Sequence, residues 1–133
     1  MNCVADTQAA IWYLFASPRL SKPAKNMMDL VDSSGGVVFV PAISIVEIVY
    51  LIEKGRLVKD ILSRLIDYLG SSDNSFQTQD LSAEIAKTLA NIPRATVPDM
   101  PDRIIAATAL HLDLPLITSD KNIRSLTNVR TIW

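Results

Sequence analysis

Apolar and polar positions follow two rhythms along this chain. Short, nearly unbroken apolar runs, typical of strands covered on both faces, occur at Asn2 to Ala5, Val37 to Val40, Pro115 to Thr118 and Val129 to Ile132. Ser75 to Thr78 is a further short candidate. Between these runs the spacing turns helical. Thr7 to Phe15 is apolar on most faces, as a buried helix is. Ser21 caps a helix with Pro23 in its first turn, which runs through Ala24 to Val31 and stops at Ser33-Ser34-Gly35-Gly36. Ser44-Ile45-Val46-Glu47 fits a capping box that opens a helix to about Lys54, closed by Gly55. Apolar residues at 58, 61, 62, 65, 66 and 69 predict a helix over Val58 to Leu69, ended by Gly70. Asp80 reads as the cap of a helix from Leu81 to about Asn91. Asp99-Met100-Pro101-Asp102 begins an Ala-rich helix over Arg103 to Leu112. Strands alternating with helices predict an α/β fold of three layers: a parallel sheet of four or five strands with helices on both faces.

Composition narrows the class without changing that picture. The 133 residues are 49% apolar, enough to close a single domain over 1–133 without metal or disulfide staples. Cys3 is the only cysteine, which excludes an internal disulfide or a thiolate cluster and favours a reducing, cytoplasmic setting. The most apolar stretch, Val37 to Ile52, is shorter than the ~20 residues of a membrane helix and is interrupted by Pro41, Ser44 and Glu47. No signal-peptide pattern fits the N-terminus. A net charge of −1 argues against a broad basic surface as the main grip on nucleic acid.

The chemistry lies in four acids. Asp6 follows the first strand and Asp120 lies just beyond the Pro115 to Thr118 strand, so both belong to one edge of the sheet. Glu47 and Asp102 stand in the first turns of helices that begin at that edge. Singly, each has a structural explanation: Asp6 and Asp120 as helix caps, Glu47 as the partner in a capping box, Asp102 as a complement to a helix dipole. Together they place four carboxylates in one crevice, where their repulsion demands cations or protons. Glu47 is the most telling, because it interrupts an apolar run in which an unpaired carboxylate costs several kcal/mol. Setting these four aside leaves 10 of the 14 acids against 13 lysines and arginines, a mildly basic remainder. All-oxygen clusters suit hard cations such as Mg²⁺ or Mn²⁺, which keep positions open for phosphate oxygens and hydrolyse phosphodiesters without a histidine or cysteine nucleophile. The only histidine, His111, falls late in a helix and reads as structural or surface-exposed.

Four segments carry a family likeness: VADTQAAIWYL at 4 to 14, PAISIVEIVYLIEKGRL at 41 to 57, PDRIIAATALHLDLPLIT at 101 to 118 and SDKNIRSL at 119 to 126. In these the chain resembles PIN-domain ribonucleases, in particular VapC-type toxins of prokaryotic toxin-antitoxin pairs; residues 58 to 98 carry no motif. The resemblance implies that Asp6, Glu47, Asp102 and Asp120 are the metal-binding and catalytic acids, with Thr7 and Thr118 as flanking hydroxyls that orient carboxylates or waters. It further implies endoribonuclease activity on RNA with Mg²⁺ or Mn²⁺, a homodimer, and a cognate antitoxin that enters the acidic groove. Asp99 reads as a helix cap rather than a ligand.

Lys54, Arg56, Arg103, Lys121 and Arg124 lie near these segments, placed either to contact RNA phosphates or to form a solvated surface. Trp12 and Tyr13 read as core aromatics before base-stacking platforms. Two other classes compete: a PIN-like module without catalysis, which binds RNA or protein, and a phosphoacceptor receiver domain. The receiver would need an acidic pair where Asp6-Thr7 stands and an acceptor Asp where the second strand ends in Pro41-Ala42. Glycine spacing excludes phosphate-loop and dinucleotide-binding motifs.

Overall fold

Each of the five strand candidates read from the sequence overlaps a strand in a computed structural model that describes residues 1–133. Strands β1 (Cys3–Ala5), β2 (Val38–Pro41), β3 (Phe76–Gln79), β4 (Leu116–Ile117) and β5 (Thr131–Ile132) form one wholly parallel sheet in the order β3-β2-β1-β4-β5. Helices α1 (Thr7–Leu14), α2 (Lys22–Ser33), α3 (Ala42–Glu53), α4 (Lys59–Gly70), α5 (Ala83–Thr88), α6 (Met100–Leu112) and α7 (Lys121–Arg124) make the connections, with a 3₁₀ turn at Leu89–Asn91. The most apolar stretch of the chain is therefore divided between β2 and α3. No helix is long and apolar enough to cross a membrane.

Alternation along the strands assigns residues to two cores. Cys3, Ala5, Val38, Val40 and Ile117 face one side and pack with Ala9 and Ala10 of α1 and with Ala24, Met28 and Val31 of α2. Val4 and Leu116 face the other side and pack with Ile85 of α5 and with Ile105, Ala106 and Ala109 of α6. Alanines on α1 and α6 let these helices lie close to the sheet. A third cluster, Ile11, Ile48 and Leu65, ties α1, α3 and α4 together. Each of its fully buried aliphatic side chains is worth about 1.5–3 kcal/mol, and the cluster sets α3 against the helix that follows Asp6.

Two helix starts differ from the sequence reading. α3 begins at Ala42, directly on the end of β2, with Pro41 in the cap position and no side-chain cap. Pro41 has φ −59°, already suited to a helix entry, so the chain turns before reaching Ser44. Ser44 is consequently inside the first turn and fully buried, and the capping box does not form. α5 is capped by Ser82, whose hydroxyl accepts the Ile85 N–H at 3.2 Å, and not by Asp80. Asp80 and Leu81 continue the extended path from β3 and remain exposed.

The strand order determines where a ligand fits. β1 lies between β2 and β4, and the connections leaving the two halves of the sheet cover opposite faces, so a crevice opens at the carboxyl ends of β1 and β4. The order also differs from the 2-1-3-4-5 arrangement of receiver domains, and that alternative falls.

Candidate metal centre

Asp6 is the first residue after β1. Its backbone N–H donates to the Ile117 carbonyl of β4 at 3.1 Å, and its carboxylate accepts the Ala9 N–H at 2.8 Å as the cap of α1. Asp120 mirrors it across the crevice: its carboxylate accepts the Ile123 N–H at 2.9 Å as the cap of α7. The two strand-end acids are thus held at helix N-termini, whose dipoles favour negative charge. Between them sits Thr118, fully buried, which accepts the Asp120 N–H at 3.0 Å and hydrogen-bonds Asp6 through its side chain. Glu47 reaches in from the second turn of α3 and Asp102 from the first turn of α6. All four acids line one crevice of about 230 Å³, together with Thr7, Gln8, Leu51, Ile105 and Ser119.

Asp99 caps α6 as expected, accepting the Asp102 N–H at 3.1 Å. It also stands closer to the acids than a cap need do, since Glu47, Asp99 and Asp102 each bring one carboxylate oxygen within 4.8 Å of the others.

Burial and crowding act on Asp6, Asp102 and Glu47 in one direction. Asp6, 8% exposed, has its carboxyl pushed up to about 6 from 3.8, first by desolvation and then by the charges of Asp120 and Glu47, against the opposing hydrogen bonds of Thr118 and Ala9. Asp102 is pushed up to about 7 by burial and by Asp120, Asp99, Glu47 and Asp6. Glu47 is raised by burial and by Asp99, with its bond to Thr7 opposing. No lysine or arginine lines the crevice. A site of this kind has negative charge that its own chain does not neutralise. Its donors are all oxygen, which fits Mg²⁺ or Mn²⁺ and not a soft metal.

A family model for the PIN domain matches residues 3–129. The chain belongs to the PIN-domain family. This PIN domain is 28% identical over 130 residues to Ribonuclease VapC22 of Mycobacterium tuberculosis (strain ATCC 25618 / H37Rv), covering 96% of this chain and 95% of that protein. Its fold matches the structure of VapBC2 from Rickettsia felis bound to a promoter DNA fragment, with TM-score 0.72, 16% identity, and 98% and 97% of the two chains covered. It also matches DNA-bound VapBC from Salmonella typhimurium, with TM-score 0.70, 17% identity, and 98% and 97% covered. The three-layer α/β architecture expected from sequence is the architecture of these neighbours.

The remaining residues singled out in the sequence divide sharply in this PIN domain. Thr7 lies at the crevice wall, its Oγ1 2.7 Å from Glu47 Oε1 and 2.8 Å from Ser44 Oγ. Arg103 is corrected: its guanidinium donates from Nη2 to the carbonyls of Leu89 and Ile92 at 3.0 and 2.8 Å, and from Nε to Ile92 at 3.2 Å. That clamp fastens α6 to the 3₁₀ turn and commits Nε and Nη2 to backbone carbonyls, and Arg103 does not line the crevice. Lys54, Arg56, Lys121 and Arg124 are exposed and form no ion pair. Lys121 adjoins Asp120, whereas Lys54 lies about 10 Å further along α3 than Glu47. Trp12 packs against Trp133, and Tyr13 stacks on Phe76 while donating its hydroxyl to Asp29 at 2.8 Å, so both aromatics serve the core. His111 is exposed in the last turn of α6, away from the crevice. Gln8, Ser119 and the role of Ser44 were not foreseen. A Ser one turn before an acid on the same apolar stretch was the available signal for the last.

Proposed function

We propose that this PIN domain is an endoribonuclease that hydrolyses RNA phosphodiesters with Mg²⁺ or Mn²⁺, and that it is the toxin of a toxin-antitoxin pair. The observation that carries the reading is the convergence of Asp6, Glu47, Asp102 and Asp120 in one crevice at the switch point of the sheet. Four carboxylates with no cation of their own make a site that gains stability by binding a divalent ion. Asp6, Glu47, Asp102 and Asp120 would hold the metal, which when bound supplies an activated water and charge stabilisation at the scissile phosphate. The protein's own part is placement. Helices α1 and α7 fix Asp6 and Asp120 by their caps, and the Arg103 clamp fixes the helix that carries Asp102. Exposed Lys121, next to Asp120, and Arg124, at the end of α7, would contact RNA phosphates, with Lys54 and Arg56 further out.

The similarity to the mycobacterial ribonuclease supports the substrate class, and the neighbouring VapBC complexes support an antitoxin partner. The family resemblance supports a homodimer working in the cytoplasm, and the single buried Cys3 fits a reducing compartment. Purified protein should cleave RNA with Mg²⁺ or Mn²⁺, stop in EDTA, and lose cleavage in Asp6→Asn. If Asp6→Asn cleaved as well as wild type, the assignment of this crevice would be wrong. Expression in a bacterial host should arrest growth, and Asp120→Ala should relieve the arrest.

A further inference from the structure

Ser44 has no role in capping, yet it is fully buried and keeps a hydroxyl at a position where alanine would fit the helix better. Its Oγ lies 2.8 Å from Thr7 Oγ1, which lies 2.7 Å from Glu47 Oε1. Thr7 has one hydroxyl proton for these two contacts. When Glu47 is ionised, as a cation ligand must be, its carboxylate can only accept, so the Thr7 proton points to Glu47. The contact between the hydroxyls then requires Ser44 to donate to Thr7. The three side chains form a directed chain, Ser44 to Thr7 to Glu47, that spans α3 and α1. The residues of Ile11, Ile48 and Leu65 hold these two helices together.

We infer that Ser44 is a positioning residue for the metal site: by donating to Thr7 it leaves the Thr7 proton committed to Glu47 and so sets the carboxylate's rotamer. This rests on the reading that Glu47 binds the cation. Without Ser44, the Thr7 hydroxyl is free to rotate away, and Glu47 loses an orienting bond inside a half-buried site. Partners that orient a ligand in this way typically contribute 10- to 100-fold in metal affinity. A residue one step further out contributes less, about 3- to 10-fold.

The test is Mn²⁺ binding by calorimetry on the full chain, with thermal unfolding in EDTA measured beside it. Glu47→Gln serves as the reference for the site and should weaken Mn²⁺ binding at least about 10-fold. Thr7→Val, which keeps the shape and removes the hydroxyl, should weaken it about 10-fold, and Thr7→Ser should stay within about twofold of wild type. Ser44→Ala should cost about 3- to 10-fold, and the Thr7→Val, Ser44→Ala double variant should bind no more weakly than Thr7→Val alone. If Ser44→Ala does not fold, Ser44→Cys, a near-isostere with a weak donor, gives the same reading. Wild-type Mn²⁺ affinity in Ser44→Ala while Glu47→Gln binds weakly overturns the relay and leaves the site standing. Multiplying losses in the double variant also overturn it, since they mean two independent contacts. If Glu47→Gln binds Mn²⁺ like wild type, both the site and the relay fall.

Discussion

Acids gather at both ends of the sheet, and the two ends behave differently. At the amino ends of β2 and β3 a hollow of about 290 Å³ contains Asp32 and Asp73 among glycine, serine and asparagine turns. It is larger than the 230 Å³ crevice at the carboxyl ends, and it too has two carboxylates. Both of those acids are exposed, Asp32 in the last turn of α2 and Asp73 in the turn before β3. Water screens them, and they need no partner. At the carboxyl ends Asp6 is almost fully buried and is tied to a helix start, and Glu47 and Asp102 come down from helices packed onto the same core. Proximity of carboxylates is therefore a poor guide to chemistry. What separates the two ends is whether the fold prevents the charges from reaching solvent.

The comparison breaks most directly at the level of cleavage. Asp102→Asn should reduce RNA cleavage by at least roughly 100-fold, because it removes one of the four carboxylates proposed to hold the metal. Asp32→Asn and Asp73→Asn should leave cleavage within about twofold of wild type, in keeping with ordinary surface substitutions. Equal losses at both ends in a standard Mg²⁺ assay would erase the distinction.

Stability against pH gives the next largest contrast. The Asp6 carboxyl lies near 3.8 when unfolded and about 6 when folded, so the folded state binds the extra proton. Its contribution to stability is complete below the unfolded value and is lost as pH rises to about 6. Asp102 extends the same loss to about 7. For Asp6 the shift corresponds to about 3 kcal/mol. Thermal unfolding in EDTA should show a melting temperature several degrees lower at pH 8 than at pH 5. Mn²⁺ should restore it at pH 8, and Asp6→Asn should flatten the slope. Asp32→Asn should not.

The smallest effect reverses the contrast. Gly36 lies at the amino end, where an added Cβ would strike the Met1 carbonyl. Gly36→Ala should cost about 1–3 kcal/mol in denaturant unfolding, through overpacking against backbone, while the folded fraction cleaves RNA at the wild-type rate. The amino end then answers in stability alone, whereas the carboxyl end answers in catalysis and in the pH dependence of stability.

Strands, their parallel arrangement and the edge at which Asp6 and Asp120 emerge were legible in the sequence, because apolar runs and the residue that ends each run are local features. Features set by distant contacts were not. Ser44-x-x-Glu47 is locally a capping box, and only the entry angle forced by Pro41 turns Ser44 inward towards Thr7, 37 residues away. Arg103 sits beside Asp102, and position alone suggested RNA. Its true partners, Leu89 and Ile92, lie in the segment of the chain without a motif. Asp99 was correctly read as a cap, but its approach to Glu47 depends on how α3 and α6 meet, which no local pattern encodes.

Cys3 sits in β1, the central strand, three residues before Asp6, and burial pushes its thiol up to about 12. It is also the only cysteine in the chain. A thiol reagent can reach it only when that strand separates from its neighbours, so the labelling rate in native buffer is a clock for openings of the strand that carries Asp6. A divalent cation held by Asp6 and its neighbouring acids, as proposed, would slow that clock, giving metal occupancy a readout independent of RNA.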